Sequence, residues 1–255
     1  MKIGIIGNGV VGRAIGAAFA GMGHAVSIYD IDPVKSPANL ADVAASDLAF
    51  VCVPTPGKGG ELDISAVWQA ILDLRLSGSN AVIAIKSTVP VGFTDSLPID
   101  DIAFTPEFLS DDTAFDDAAR PGPVIVGTRS DRAYSVISAA YAGIGDVMRV
   151  TPIEAEIIKL ATNTYYAAKV VFHNIVYDLA RAHGADYEAI KRALAADARI
   201  GDSHNVIYHK GYRGYGGKCL PKDTEQFRAC LYGAGINSAI VDAVIGYNKR
   251  LRDGA

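Results

Sequence analysis

The decapeptide GYGGKCLPKD at positions 214–223 sets Cys219 in a glycine-rich turn between Lys218 and Lys222 and follows it with Asp223. These are the parts of a reactive thiol. Gly214, Gly216 and Gly217 let backbone approach a ligand closely, and the flanking ammonium groups favour thiolate over thiol. An isolated intracellular cysteine is more often a small buried apolar residue, and it is the surrounding decapeptide that tips this one towards chemistry. Other polar side chains stand at intervals along the chain: Thr55 in VPTP, Thr88 in KSTVPVG, Glu107 and Asp111 in TPEFLSDD, and Lys159 and Asn163 in EIIKLATN. Lys159 and Asn163 are four apart and so share one helix face, although a helical lysine is by default a solvated one.

The elements that must position these residues begin with a βαβ pattern. Lys2 to Ile6 is a short apolar run, GNGVVG follows at positions 7–12, and Val11, Ile15, Ala18 and Phe19 then recur at helical spacing. A second strand from Ala25 to Tyr29 ends at Asp30. In such a unit Gly7 makes the tight turn, Gly9 admits a pyrophosphate to the helix start beside Val10 and Val11, and Gly12 lets helix and sheet pack closely. Asp30 stands where a carboxylate takes the ribose hydroxyls and repels a 2′-phosphate, so NAD is expected rather than NADP.

Further strands are expected at 48–53, 81–85, 101–104 and 124–126, mostly continuous apolar runs suited to a parallel sheet buried on both faces. Thr55, Lys86, Ser87, Thr88 and Glu107 fall at their C-terminal ends, where open α/β sheets bind ligands. KGGELD at 58–63 reads as a loop, and the single tryptophan, Trp68, as core. From Thr151 the pattern turns helical: Thr151 and Glu154 form a capping box around Pro152, and one helix runs to about His183. Helices follow at 186–196, 224–232 and 236–251, the last carrying Ile240, Val244 and Tyr247 on one stripe. The expected fold is therefore a Rossmann-like, doubly wound parallel sheet over residues 1–150, followed by a smaller all-helical domain over 151–255.

Composition narrows the function. The chain has 255 residues, half of them apolar, and a formal charge of -4, which offers no basic field for nucleic acid. No apolar run is long and uncharged enough to span a bilayer, and the N-terminal glycines and Arg13 argue against a secretory leader. Three cysteines without metal-ligand spacing fit a reducing cytoplasm, and neither a metal site nor a disulfide framework is expected.

The cysteine motif closely resembles that of the UDP-glucose/GDP-mannose dehydrogenase family, four-electron oxidoreductases that take a nucleotide-sugar alcohol to a carboxylate with two NAD molecules. The resemblance covers nearly the whole chain, with several motifs in the family's order. It implies that Gly7, Gly9, Val10, Val11, Gly12, Asp30, Lys35, Thr55, Thr88 and Lys222 contact NAD. It implies a catalytic set of Cys219 as nucleophile, Lys159 and Asn163 as the oxyanion-stabilising pair, and Asp223 completing the motif and activating the water that hydrolyses a thioester, with Thr88 and Glu107 or Asp111 beside that water. Glu107, Phe108, Leu109, Lys159, Asn163, Arg199, Tyr208, Tyr215 and Gly216 are its substrate-binding positions, Arg199 matching an arginine that reaches a neighbouring subunit's sugar. Ser110 and Asp111 depart from the family's usual Arg or Ala followed by Glu.

The family normally continues through a long helix into a second Rossmann-like domain, which is not present in these residues. The expected partners are a nucleotide-sugar substrate, a second copy forming a homodimer through the helical domain, and a separate nucleotide-binding subunit if the enzyme is split. Other readings of the same residues are a two-electron hydroxyacid dehydrogenase, which would not need Cys219 or Asp223, and a non-catalytic NAD-binding or oligomerisation module.

Overall fold

The computed structural model describes residues 1–110 and 112–253; Asp111 lies outside them. The chain divides into two compact units, one of residues 1–56 and 62–159, the other of residues 57–61 and 160–255.

In chain order the elements are β1 (Lys2–Ile6), α1 (Val10–Gly21), β2 (Ala25–Tyr29), α2 (Leu40–Ala44), β3 (Leu48–Val51), β4 (Gly57–Lys58), β5 (Glu61–Leu62), α3 (Ser65–Leu76), β6 (Val82–Ile85), α4 (Phe93–Ser96), β7 (Ile102–Phe104), α5 (Ala114–Ala119), β8 (Val124–Gly127), α6 (Asp131–Ala140), β9 (Val147–Val150), α7 (Pro152–Ala182), α8 (Tyr187–Ala195), α9 (Leu220–Gly233) and α10 (Ala239–Asp253). The first unit is built on a seven-stranded sheet in the order β2-β1-β3-β6-β7-β8-β9. Strand order reverses at β1, which pairs in parallel with β2 on one side and β3 on the other. That reversal opens the crevice in which doubly wound sheets hold ligands.

Alternate strand residues point to opposite faces, as the pleat requires. Ile3, Ile5, Leu48, Phe50, Val82 and Ala84 enter one core, and Ala49, Val51, Ile83 and Ile85 enter the other. Burial on both faces explains why these strands read as continuous apolar runs. At the centre of the first core Phe19 stacks on Phe50 at 5.2 Å and meets Tyr141 edge-on at 5.1 Å.

Several expectations are corrected. The stretch at 58–63 is a hairpin, with Gly59 and Gly60 at φ +64° and +91° supplying the two-residue turn between β4 and β5. β9 was not expected from the sequence because VMRV is a half-exposed edge strand without an apolar run. β8 meets β7 antiparallel through Phe104 and Gly127 alone, then pairs with β9 in parallel. Trp68 is 43% exposed and meets Phe93 edge-on, since α3 buries Val67, Ala70, Ile71 and Leu74 instead.

The second unit is helical. α7 starts with the anticipated capping box, Thr151 N donating to Glu154 at 2.7 Å and Glu154 N to Thr151 Oγ1 at 3.4 Å. Beyond residue 160 it packs Ala167, Val170 and Val171 with Tyr215, Leu220, Val244 and Tyr247. Asp186 caps α8 by accepting from Glu188 N. His173 is core, its Nδ1 3.1 Å from the Tyr187 hydroxyl, which donates to the Asn205 carbonyl at 2.7 Å. α10 begins at Ala239, and Ile240 is 81% exposed, so it does not share the packed stripe of Val244 and Tyr247. α9 starts at Leu220, four residues earlier than expected, with Pro221 and Asp223 in its first turn as ordinary helix-start residues. Cys219 is therefore a helix N-cap rather than a residue inside a loop.

Candidate functional site

In the first unit the glycine turn follows from sterics. Gly7 has φ +101°, and a Cβ there would strike the Cys52 carbonyl; one on Gly12 would strike the Gly7 carbonyl. Gly9 differs, because a Cβ on it would meet nothing within 4 Å. It faces open space at the start of α1, which has neither a side-chain cap nor an acidic residue in its first turn. Unclaimed N–H groups, a partial positive charge and room for close approach are what a pyrophosphate needs. The buried Oδ1 of Asn8 is also without a hydrogen-bond partner.

Asp30 is held at this turn, Oδ2 accepting from Asn8 N at 2.7 Å and Oδ1 from Asp32 N at 2.9 Å. Lys35 lies in the loop beyond it, its carbonyl accepting from Asn8 Nδ2 and its ammonium paired with Asp32 at 3.0 Å. The Lys35 hydrogen bond holds the Asp32 carboxyl below its ordinary range. Val10 is exposed and Val11 packs on the core. Thr55 and Thr88 are buried beyond the ends of β3 and β6. These residues fit a dinucleotide.

A buried polar cluster stands beside them. Lys86, after β6, pairs with Glu107, after β7, at 3.4 Å. Burial alone would lower the Lys86 ammonium, but attraction to Tyr141 and Glu107 outweighs it and raises its pKa. Glu107 Oε1 accepts from Phe108 N at 2.7 Å and Leu109 N at 2.9 Å, and its carbonyl accepts from Lys159 Nζ. The Lys159 ammonium also lies 5.2 Å from the Phe108 ring centre. The structure thus brings together Glu107, Phe108 and Lys159, while Leu109 turns towards the core. The nearby Cys52 thiol is pushed up to about 12, burial raising it, Lys86 opposing and Glu107 adding to the rise.

In the second unit Asp223 is fully buried and both its oxygens are engaged. Oδ2 accepts from Asn163 Nδ2 at 2.6 Å and Oδ1 from Lys222 Nζ at 2.6 Å, while Asp223 N donates to the Cys219 carbonyl at 3.0 Å. Asn163, Cys219, Lys222 and Asp223 therefore form one cluster at the start of α9, with Cys219 exposed. Lys222 spends its charge on Asp223, which the alternation of lysines around the cysteine does not reveal. Gly214 and Gly217 both have φ +75°, and a Cβ on Gly216 would press on the Tyr212 hydroxyl.

Tyr215, expected at the substrate, has its side chain in the core, so only its backbone remains to meet a ligand. That backbone is tied to Asn248, whose Oδ1 accepts from Tyr215 N at 2.7 Å. Arg199 is exposed and held in a fork by Asp197 at 2.9 and 2.6 Å. Tyr208 is half exposed and meets Tyr177 edge-on. Lys86, expected at a ligand-binding strand end, is buried and paired instead with Glu107, and Glu156 is a buried acid that no motif marks. The signal for Lys86 was its place directly after a strand, whereas Glu156 looks like any helical glutamate.

A reversed strand order with a glycine turn at the switch point and polar residues beyond the strand ends defines a dinucleotide-binding protein of dehydrogenase type. Residues 36–144 match the NAD binding domain, and residues 153–250 the central domain, of the UDP-glucose/GDP-mannose dehydrogenase family. A UDP-glucose 6-dehydrogenase of Rhizobium meliloti is 33% identical over 88% of this chain and 62% of its own. One from Campylobacter jejuni is 30% identical over 98% of this chain and 72% of its own. The solved UDP-glucose dehydrogenase of Pyrobaculum islandicum is similar with a TM-score of 0.88 at 26% identity, over 98% of this chain and 68% of that one. The chain belongs to the UDP-glucose/GDP-mannose dehydrogenase family, and its cofactor is NAD. It spans roughly two-thirds of the length of these relatives. Among the described residues no helix is long and apolar enough to cross a membrane.

Proposed function

We propose that this protein oxidises the primary alcohol of a nucleotide sugar of the UDP-glucose type to the carboxylate, in two successive two-electron steps through Cys219. The observation that carries the reading is the cluster of Asn163, Lys222 and buried Asp223 around the helix start that exposes Cys219. Gly7, Gly9, Gly12, Asp30 and Lys35 would hold NAD, with Thr55, Thr88 and Lys222 further contacts, and NAD bound there would supply the hydride acceptor, one molecule for each of the two oxidations.

Lys159 and Asn163, one turn apart on α7, are donors for the substrate oxygen as it becomes alkoxide and then aldehyde. The Cys219 sulfur attacks the aldehyde carbon, one S–C bond forming as the C=O π pair moves onto oxygen, to give a thiohemiacetal. A helix N-terminus favours the anionic sulfur this step needs. Oxidation of the thiohemiacetal carbon leaves a thioester, and attack by water breaks the S–C bond, returning the thiol and releasing the acid. Glu107, Thr88 and Asp111 are the groups assigned to that water. Asp223, with both oxygens engaged, orients Asn163 and Lys222 and joins the hydrolysis only by exchanging one of those partners.

Phe108, Leu109, Arg199, Tyr208 and the backbone of Tyr215 and Gly216 complete the substrate contacts. An isologous homodimer through the helical unit belongs to this reading, supported by exposed Tyr165, Phe172 and Leu179 on α7 and Ile240 on α10. A separate nucleotide-binding subunit supplying what the longer relatives carry in one chain is a further partner to test. The decisive experiment counts NADH: two per acid formed from UDP-glucose, alone or after mixing with such a subunit, supports the reading, and one per turnover rejects it. Light scattering reads the dimer; a fully active monomer would remove the role given to Arg199.

A further inference from the structure

Among the described residues Glu156 is the most deeply buried acid of the first unit, with 0% of its surface exposed. It sits on α7 three residues before Lys159. Its Oε2 accepts from Gly92 N at 2.5 Å and its Oε1 from Thr94 N at 2.8 Å. Gly92 is the N-cap of α4 at φ +89°, and α4 has no cap from its own residues. The carboxylate of a distant helix thus does the work that a local Asp or Ser does at other helix starts.

The loop so held carries Thr88. At its other end Ser87 Oγ donates to the Val53 carbonyl at 2.7 Å and Ser87 N to the Val51 carbonyl at 3.2 Å. Thr88 and Val89 are buried between the two ties. One turn along α7 from Glu156, Lys159 donates to the Glu107 carbonyl. The same stretch of helix is therefore fastened twice, through Glu156 to the loop of Thr88 and through Lys159 to the segment of Glu107.

We propose that Glu156 is a positioning residue for the oxidation: by clamping Gly92 and Thr94 it fixes the Thr88 loop against the turn of α7 that presents Lys159. The inference rests on the function proposed above, since Thr88 and Lys159 matter together only if they serve one reaction. A buried carboxylate is costly to desolvate, and this one offsets the cost by satisfying two backbone N–H groups that an apolar side chain would leave unpaired. Its geometry is what an apolar side chain cannot copy. Displacement of reacting groups by about an ångström costs on the order of a hundredfold in rate.

The test is Glu156→Gln, which keeps shape but aims an amide NH2 at one backbone N–H. NADH formation from UDP-glucose should fall about 10- to 100-fold in kcat, with KM for NAD changed less than about threefold, and Glu156→Asp should recover part of the loss. Amide hydrogen exchange at Gly92 and Thr94 should accelerate in Glu156→Gln while protection in β1 and β3 is retained. Unchanged kcat together with unchanged exchange at Gly92 and Thr94 overturns the proposal, as does a loss of protection spread evenly over the first unit. Should the wild-type protein show no turnover, the functional reading fails while the exchange measurement still decides the clamp. If Glu156→Gln does not fold, Glu156→Asp carries the same comparison.

Discussion

Two helix starts, one in each unit, carry no side-chain cap and stand at the two halves of the proposed chemistry. The N-caps of α1 and α9 are Gly9 and Cys219; glycine has no side chain to offer, and that of Cys219 makes no capping hydrogen bond. α2, α6 and α8 are capped in the usual manner by Asn39, Ser130 and Asp186. α3 and α5 also lack a side-chain cap, so what sets α1 and α9 apart is the open space at Gly9 and the exposed thiol of Cys219. The two open starts also differ from each other. α1 has no acid in its first turn and empty space at Gly9, which suits an incoming anion. α9 has Asp223 in its first turn, buried and paired, so the charge there is already balanced and the exposed group is a thiol.

The largest test of this contrast is Cys219→Ala. Acid formation should fall at least about a thousandfold, the scale of losing a nucleophile, while NAD binding measured by fluorescence titration stays within about twofold. The glycines of α1 should then separate recognition from folding. Gly9→Ala leaves the melting temperature in place and weakens NAD about tenfold or more, since its methyl enters only the ligand's space. Gly12→Ala drives a methyl into the Gly7 carbonyl and should cost roughly 1–3 kcal/mol of stability as well as NAD affinity, read by thermal melts.

Alkylation extends the comparison to the thiols. With its pKa at about 12, Cys52 is thiolate to only about one part in 10⁵ at pH 7, so iodoacetamide should label Cys219 first and leave Cys52 intact in peptide mass maps. At the capped helices Asp186→Ala should lower stability by about 1 kcal/mol in urea unfolding, whereas Cys219→Ala should cost less than about half of that. The smallest effect concerns acid. Ser130, then Arg132, hold the Asp101 carboxyl below its ordinary value against the opposing pull of burial. Its contribution is therefore present above pH 4 and lost as pH falls below that, and Asp101→Asn should flatten the acid limb of the stability profile by less than about 1 kcal/mol.

Much of the first unit was legible because its physics is local. Apolar runs, glycines that can adopt positive φ and an acid at the end of β2 report on a few neighbouring residues each. The half-exposed edge strand β9 and the outward-facing Trp68 were not legible, because their environment is set by elements far away in sequence. The early start of α9 was signalled by Pro221 and Asp223, but the glycines before Cys219 draw attention to a loop instead. Tyr215 shows the reverse: its neighbours Gly214 and Gly216 suggest access, yet its ring fills the core between α7 and α10.

The sequence by itself determined the dinucleotide turn, the family, and the residue types available for oxidation through a thiol, since each rests on short-range spacing. Tertiary structure alone decided which charges are already spent. Lys222 is committed to Asp223, Lys86 to Glu107 and the Glu156 carboxylate to Gly92 and Thr94. A buried charge must find its partner wherever the fold brings one, and that partner can lie 64 residues away, as Gly92 does from Glu156.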